Sequence, residues 1–221
     1  MTTPGIIEPR NRKEFSKEQP AKPDKFPRTD RRQARLRQVL ERRQPDLTVV
    51  LEDIHDVHNA SAVLRTADAV GVLTVHLVYS FETPPERAFS RVAGAGASKW
   101  IELVWHDTIE NCYNALHAEG YAIYATALHA DSVSLYEKDY TGKVALVFGN
   151  EQRGVSEAAI AGADGVIIIP MVGVVESLNI SVACSVTLYE AMRQRLAAGT
   201  YDAPRLESEA FESLYQQWLT R

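Results

Sequence analysis

The chain has 221 residues, enough for one α/β domain with short extensions, and its 45% hydrophobic and 24% charged residues are those of a globular protein. No apolar run approaches the roughly 18 residues of a transmembrane helix, and two cysteines without metal-type spacing exclude a disulfide framework and suit a reducing cytoplasm. The net charge of −5 hides a division: residues 1–45 carry 13 Lys+Arg against 6 Asp+Glu, and residues 46–221 carry 11 against 23.

A basic arm ahead of an acidic body suits a polyanionic partner such as nucleic acid; a merely solubilising helix is the alternative. Five of the ten prolines fall in residues 1–27, which also lack the apolar core of a secretory signal, so a disordered tail is expected there. Seven arginines crowd residues 28–43, and the spacing predicts a helix over about 29–43, stopped by Pro45. From there the elements alternate. "LTVVLED" (47–53) reads as a strand, and "NASAVLRTADAVG" (59–71) as a helix closed by glycine. "VLTVHLVY" is a strand, "PPERAFSRVAG" (84–94) a helix, "WIELVW" a strand, "TIENCYNALHAEG" a helix and "YAIYATAL" a strand. "KVALVFG" is a strand, "SEAAIAGA" a short helix capped by Ser156, "GVIIIPM" (165–171) a strand, and 179–197 a long helix. Strands this continuously apolar, alternating with helices, predict an α/β fold with a mostly parallel sheet covered on both faces. Phe211, Leu214, Tyr215 and Trp218 at helical spacing predict a last helix that packs on the body or on a partner subunit.

Several stretches invite chemistry. "GAGASK" (94–99) has glycines, but it precedes a strand instead of following one, so a dinucleotide-binding turn is excluded. His55 and His58 lack cysteine or acidic partners at a metal-site spacing, and no metal is expected. "GNEQRGVS" (149–156) lies beyond a strand's carboxyl end, where parallel sheets bind ligands. Glu151 and Arg153 there are either ligand-facing or exposed loop charges. "ESLNIS" (176–181) occupies the same place after the next strand; Ser177 or Asn179 could cap the long helix, which leaves the rest of the cluster unexplained. Asn59 could cap the helix of "HNASAVLRTADAVG", and Arg65 stands mid-helix where charge is otherwise sparse.

Together "HNASAVLRTADAVGV", "LVFGNEQRGVS" and "IIIPMVGVVESLNISVACSVTLYEAMRQR" resemble, in order and spacing, the three motifs of the SpoU family of RNA 2′-O-methyltransferases. "RRQPDLTV", "YATAL", "MRQRLAAG" and the tail "YDAPRL…WL" are similar to its tRNA-modifying branch, so the resemblance covers about residues 28–221. It departs at Glu176, where that branch often has glutamine.

The resemblance implies a trefoil-knotted SPOUT fold, S-adenosylmethionine as methyl donor, a homodimer with sites near the subunit interface, and no membrane. It divides the chain into a tail (1–27), a basic RNA-binding helix (28–45), the knotted domain (46–198) and a C-terminal extension (199–221). It implies cofactor-pocket roles for Thr126, Gly149, Ile169, Met171 and Leu178, and catalytic roles for Asn59, Arg65, Glu151, Ser177 and Asn179. It assigns RNA contacts to Arg32, Arg35, Arg193 and Arg195. The implied reaction is methylation of the ribose 2′-hydroxyl of guanosine 18 in the tRNA D-loop; ribosomal RNA methylation and non-catalytic RNA binding are the alternatives. A guanidinium stays charged in proteins, so Arg65 is expected to grip a phosphate and the developing alkoxide instead of removing a proton.

Overall fold

The computed structural model describes residues 30–81 and 96–221. The expected tail (1–27) and the helix over 84–94 lie outside the described residues. Among the described residues, seven strands form one sheet in the order β3-β2-β1-β6-β4-β7-β5, and every pairing between them is parallel. The strands are β1 (Leu47–Glu52), β2 (Thr74–Val78), β3 (Glu102–His106), β4 (Ala122–Thr126), β5 (Val133–Ser134), β6 (Val144–Phe148) and β7 (Gly165–Ile168). The helices are α1 (Asp30–Leu40), α2 (Val57–Val70), α3 (Ile109–Ala118), α4 (Glu157–Gly162), α5 (Ile180–Ala197) and α6 (Ser208–Thr220).

β1 is central, and all six of its residues are buried. The pleat sends Leu47, Val49 and Leu51 to the face covered by α2 and α5, while Val50 points at α3 and α4. Val63, Leu64 and Ala67 of α2 and Cys184, Leu188 and Ala191 of α5 close the first face. Ile109, Cys112, Tyr113 and Leu116 of α3, with Ala159 of α4, close the second. Burying such side chains contributes on the order of 1.5–3 kcal/mol each against exposure, which makes this two-sided core the main support of the site.

Local chemistry places the ends of the elements. Ser156 caps α4 as expected, its Oγ accepting from the Ala159 N–H at 3.0 Å. Gly71 closes α2 at φ 90°, and a Cβ there would stand 2.7 Å from the Arg42 carbonyl oxygen. α2 begins two residues earlier than expected, because Asp56 is its cap and accepts from the His58 N–H at 2.8 Å. β7 ends at Ile168 instead of running to Met171, and Pro170, which has no N–H to give a ladder, lies in the segment that turns away.

The two ends of the described chain pack together. Leu36 and Leu40 of α1 bury against Phe211, Tyr215 and Trp218 of α6, and Arg37 reaches Glu212 at 2.7 Å while lying over the Phe211 and Tyr215 rings. The basic helix and the C-terminal extension therefore make one unit. No helix among the described residues is long and apolar enough to cross a membrane.

Candidate active site

The carboxyl ends of β4, β6 and β7 open into a cavity of about 600 Å³. Thr126 stands at the end of β4, Gly149 follows β6, and Ile169 and Met171 follow β7; all four line the cavity with Leu178. All five expected cofactor residues thus meet in one place, although the sequence scatters them over more than fifty positions.

Gly149 is fixed by space, not by a positive φ. A Cβ on it would lie 2.1 Å from the Gly154 carbonyl carbon and 2.1 Å from the Val155 nitrogen, so the 149–155 loop folds onto its own start. The loop is cross-tied by the Gly154 N–H, which donates to the Asn150 carbonyl at 2.8 Å. The Asn150 side chain accepts from the Gln152 and Arg153 N–H groups at 2.9 and 3.2 Å and donates to the Asp53 carbonyl at 2.7 Å. Glu52, buried at the end of β1, accepts from the Ser156 N–H and hydroxyl at 2.8 and 2.6 Å; burial pushes its carboxyl above the usual range while those bonds pull it back.

A second cavity, of about 450 Å³, adjoins the first and shares Asn150, Glu151, Gln152, Arg153 and Asn179 with it. At the junction a chain of amides joins three distant segments. Asn179 caps α5, its Oδ1 accepting from the Ser181 N–H at 2.8 Å and hydroxyl at 2.6 Å. Its Nδ2 donates to Asn59 Oδ1 at 3.0 Å, and Asn59 Nδ2 donates to Glu151 Oε1 at 3.0 Å. Glu151 also accepts the His55 and Asp56 N–H groups at 3.3 Å each. Asn59 is therefore not a helix cap; it sits in the first turn of α2 and bridges loops 92 and 120 residues away. Asn179 does both jobs, capping a helix with one amide atom and binding Asn59 with the other.

The two other expected catalytic residues stand outside this amide chain. Ser177 lines the larger cavity and is exposed. Arg65 is exposed on α2, outside both cavities, and no hydrogen bond or ion pair engages it among the described residues. Its neighbour Thr66 bonds Ser185 of α5 at 3.0 Å.

The arginines expected to touch RNA divide. Arg35 is exposed and Arg32 half-buried on α1, and Arg193 is exposed beside Glu190 at 2.8 Å. Arg195 does not fit an RNA contact. It is fully buried, pairs with Asp46 at 2.5 Å, and donates further to Gln44 Oε1 at 3.0 Å and the Tyr140 carbonyl at 2.8 Å. Arg43, in the basic run, is equally buried, bonded to Asp68 at 2.5 Å and lying over Trp218, with burial lowering its pKa. These two arginines join the core to the terminal segments.

Of the histidines in "HDVH", His55 lines the smaller cavity. A different group has ligand-like spacing: the donor atoms of His76, His106 and Cys112 lie within 4.8 Å of one another. His76 Nδ1 and His106 Nε2 are 2.9 Å apart with ring centroids at 5.2 Å, so the rings meet end to end, one N–H donating into the other lone pair. Burial pushes His76 down to about 4 and lowers His106 too, which keeps the pair neutral. The two facing ring nitrogens are engaged with each other, whereas tetrahedral ligation needs lone pairs that converge on a common point.

Sequence reasoning passed over Asn150, Asp53 and Asp56. The signal for Asn150 was present, since an asparagine followed by three polar residues and glycine marks a side-chain-stabilised turn.

The family model described as "SpoU rRNA Methylase family" matches residues 46–189. The chain belongs to the SpoU methylase family. A tRNA (guanosine(18)-2′-O)-methyltransferase of Thermus thermophilus is 49% identical over 194 residues, 88% of this chain and 98% of the relative. The crystal structure of the A. aeolicus TrmH/SpoU tRNA modifying enzyme has a TM-score of 0.76 at 38% identity, covering 86% of this chain and 95% of that one. An AdoMet-bound rRNA methyltransferase from Sinorhizobium meliloti has a TM-score of 0.60 at 29% identity over 71% of this chain and 59% of its own. The seven-stranded parallel sheet with helices on both faces agrees with the knotted SPOUT fold of this family.

Proposed function

We propose that the chain is an S-adenosylmethionine-dependent tRNA 2′-O-methyltransferase acting on guanosine 18. The observation that carries this reading is the amide chain Asn179–Asn59–Glu151 at the mouth of a cavity lined by all five expected cofactor residues. Support for tRNA over ribosomal RNA comes from the Thermus tRNA enzyme, which is matched over 98% of its own length.

Gly149 lets the 149–155 backbone close around the cavity, and the open loop 171–179 completes the wall, so much of the cofactor would be held by backbone groups. S-adenosylmethionine supplies an electrophilic methyl group on sulfonium and departs as a neutral thioether, so the protein needs no acid for the leaving group. What remains is in-line placement and loss of the ribose proton. Asn59 and Asn179, fixed by each other and by Glu151, orient the ribose at the junction of the two cavities. Glu151 holds the start of α2 against the loop after β6. Ser177 stands beside them on the cavity wall. Arg65 meets a phosphate and the developing alkoxide. Arg32, Arg35 and Arg193 contact the RNA backbone, whose phosphates reward basic side chains regardless of sequence.

We place the enzyme in the cytoplasm as a homodimer. Val182, Ser185 and Tyr189 share one stripe of α5, on which Val182 and Tyr189 are 47% and 54% exposed, and Val172, Val174 and Val175 ahead of the helix are exposed as well. Ser185 bonds Thr66, the chain neighbour of Arg65, so α5 meets α2 one residue from that arginine. A second copy seated there covers the valines and brings Arg65 to the interface. Sedimentation of the purified chain at twice its monomer mass is the expected result, and a monomer at micromolar concentration would rule the arrangement out.

Methyl transfer from labelled S-adenosylmethionine to unmodified tRNA transcript, mapped by nuclease digestion, tests the function. The label is expected on the ribose of guanosine 18. A label confined to ribosomal RNA, or outside the D-loop, would replace the reading. Arg65→Ala is expected to lower kcat at least a hundredfold while the cofactor still binds, in keeping with the loss of one charge-stabilising donor.

A further inference from the structure

Beside Arg153, which lines both cavities, an exposed aromatic ring is held by hydrogen bonds to its own backbone and its neighbour's. Phe81 is 74% exposed. Its backbone N–H and that of Ser80 both donate to Asp53 Oδ1, at 3.2 and 3.0 Å. Asp53 itself is buried and adopts φ 50°, a left-handed conformation that residues with a Cβ rarely take. Its N–H donates to the Val78 carbonyl at 2.8 Å and its carbonyl accepts from the Asn150 amide at 2.7 Å. Its other carboxylate oxygen lies 3.6 Å from the Arg153 guanidinium, which sits 5.7 Å from the centroid of the Phe81 ring. One strained, buried carboxylate thus fixes both the ring and the cation, and backbone outliers of this kind gather at functional sites.

Packing does not account for Phe81, since most of its surface faces solvent. A core role belongs to the neighbouring Tyr79, whose hydroxyl donates to the Ile54 carbonyl. Arg153 lines both cavities, so the ring stands one arginine side chain from the junction where Asn59, Glu151 and Asn179 meet. A polynucleotide presents a flat base beside a negative phosphate, and an aromatic face next to a guanidinium is complementary to that pair.

We propose that Phe81 and Arg153 form a stacking platform for the base of the nucleotide whose ribose enters the site, with Phe81 meeting the base and Arg153 the adjoining phosphate. The proposal rests on the reading that the substrate is RNA. It assigns Phe81 a specificity role in RNA binding and no part in cofactor binding.

The test compares the parent protein, Phe81→Leu and Phe81→Trp on two tRNA transcripts, one intact and one lacking the base at position 18. Dissociation constants are measured without cofactor, and KM, kcat and cofactor affinity with it. On intact transcript Phe81→Leu is expected to weaken binding and raise KM roughly tenfold, the loss of one base–aromatic stack, with kcat near the parent's. Phe81→Trp restores the parental values. The abasic transcript is expected to bind the parent and Phe81→Leu equally, because the base and the ring are then two halves of one interaction. The same weakening on both transcripts, or none on the intact one, would overturn the platform. A parallel fall in cofactor affinity would make Phe81 a structural residue and overturn it as well. Failure of the parent to methylate any RNA is a separate outcome that removes the functional reading itself.

Discussion

Replacing Asp46 by asparagine is expected to lower the unfolding midpoint by roughly 6–20 °C, because it leaves the fully buried Arg195 without its counter-charge. Asp46 is 5% exposed and takes Arg195 on one carboxylate oxygen and Arg205 on the other. Removing one partner of a buried pair costs about 3–5 kcal/mol, and in a chain of this size each kcal/mol moves the midpoint by about 2–4 °C. Arg195 sits near the end of α5, Asp46 just before β1 and Arg205 just before α6, so the loss also loosens the N- and C-terminal segments from the sheet. Thermal unfolding followed by circular dichroism reads the change, with Arg193→Ala as the contrast. Arg193 is exposed and bonded only to its own helix among the described residues, and its removal should leave the midpoint in place while weakening tRNA binding. If Asp46→Asn melted like the parent, Arg195 would not be the structural residue its geometry indicates.

Gly149→Ala is the substitution expected to act most strongly on the cavity. The added methyl would overlap two backbone atoms of the 154–155 peptide at 2.1 Å, and backbone cannot rotate away as a side chain can. Overpacking of this kind costs typically 1–3 kcal/mol and occasionally more, and here the strain falls on the loop that walls the larger cavity. Calorimetric titration with S-adenosylmethionine should show affinity reduced by more than about tenfold, which corresponds to 1.4 kcal/mol. The sheet core, built from β1 and its neighbours, should survive, so that circular dichroism keeps its α/β form. Parental affinity in this variant would mean that the loop does not have to close for the cofactor to bind.

The fold was largely legible because its strands are buried on both faces and therefore read as unbroken apolar runs, and because Ser156 and Gly71 punctuate helices by chemistry that acts within a few residues. The failures occur where a distant partner outbids a local rule. Asn59 reads as a helix cap by position, yet Asp56 offers the same chemistry three residues earlier, and Glu151 and Asn179 recruit the freed amide. Arg195 is assigned to RNA by its place in the resemblance, beside Arg193 at the end of the long helix. Only the arrival of Asp46 from the other end of the chain turns it inward. β5, two residues long, offers no periodicity to detect. Of the site, the loops and the cavity-lining residues were accessible through the motifs, while the bonds joining them were not, since no spacing in the sequence encodes contacts across a hundred positions. The isolated position of Arg65 was equally hidden, since no local pattern separates a solvated helix arginine from one that faces a site.

The central place of β1 has a consequence for how the chain acquires its shape. β1 pairs on one side with β2, close behind it, and on the other with β6, Leu47 opposite Val144. During synthesis the first strand must therefore wait with one edge bare until most of the protein has left the ribosome. Such long-range parallel pairing is intrinsically slow and leaves an edge open to mispairing in the interval. The segments that wall the larger cavity, 149–155 and 169–179, emerge later still, so the cavity is expected to form only after β1 and β6 have paired. A chain interrupted before β7 would hold Asn59 and Glu151 but neither Asn179 nor the α5 residues that close one face of the core.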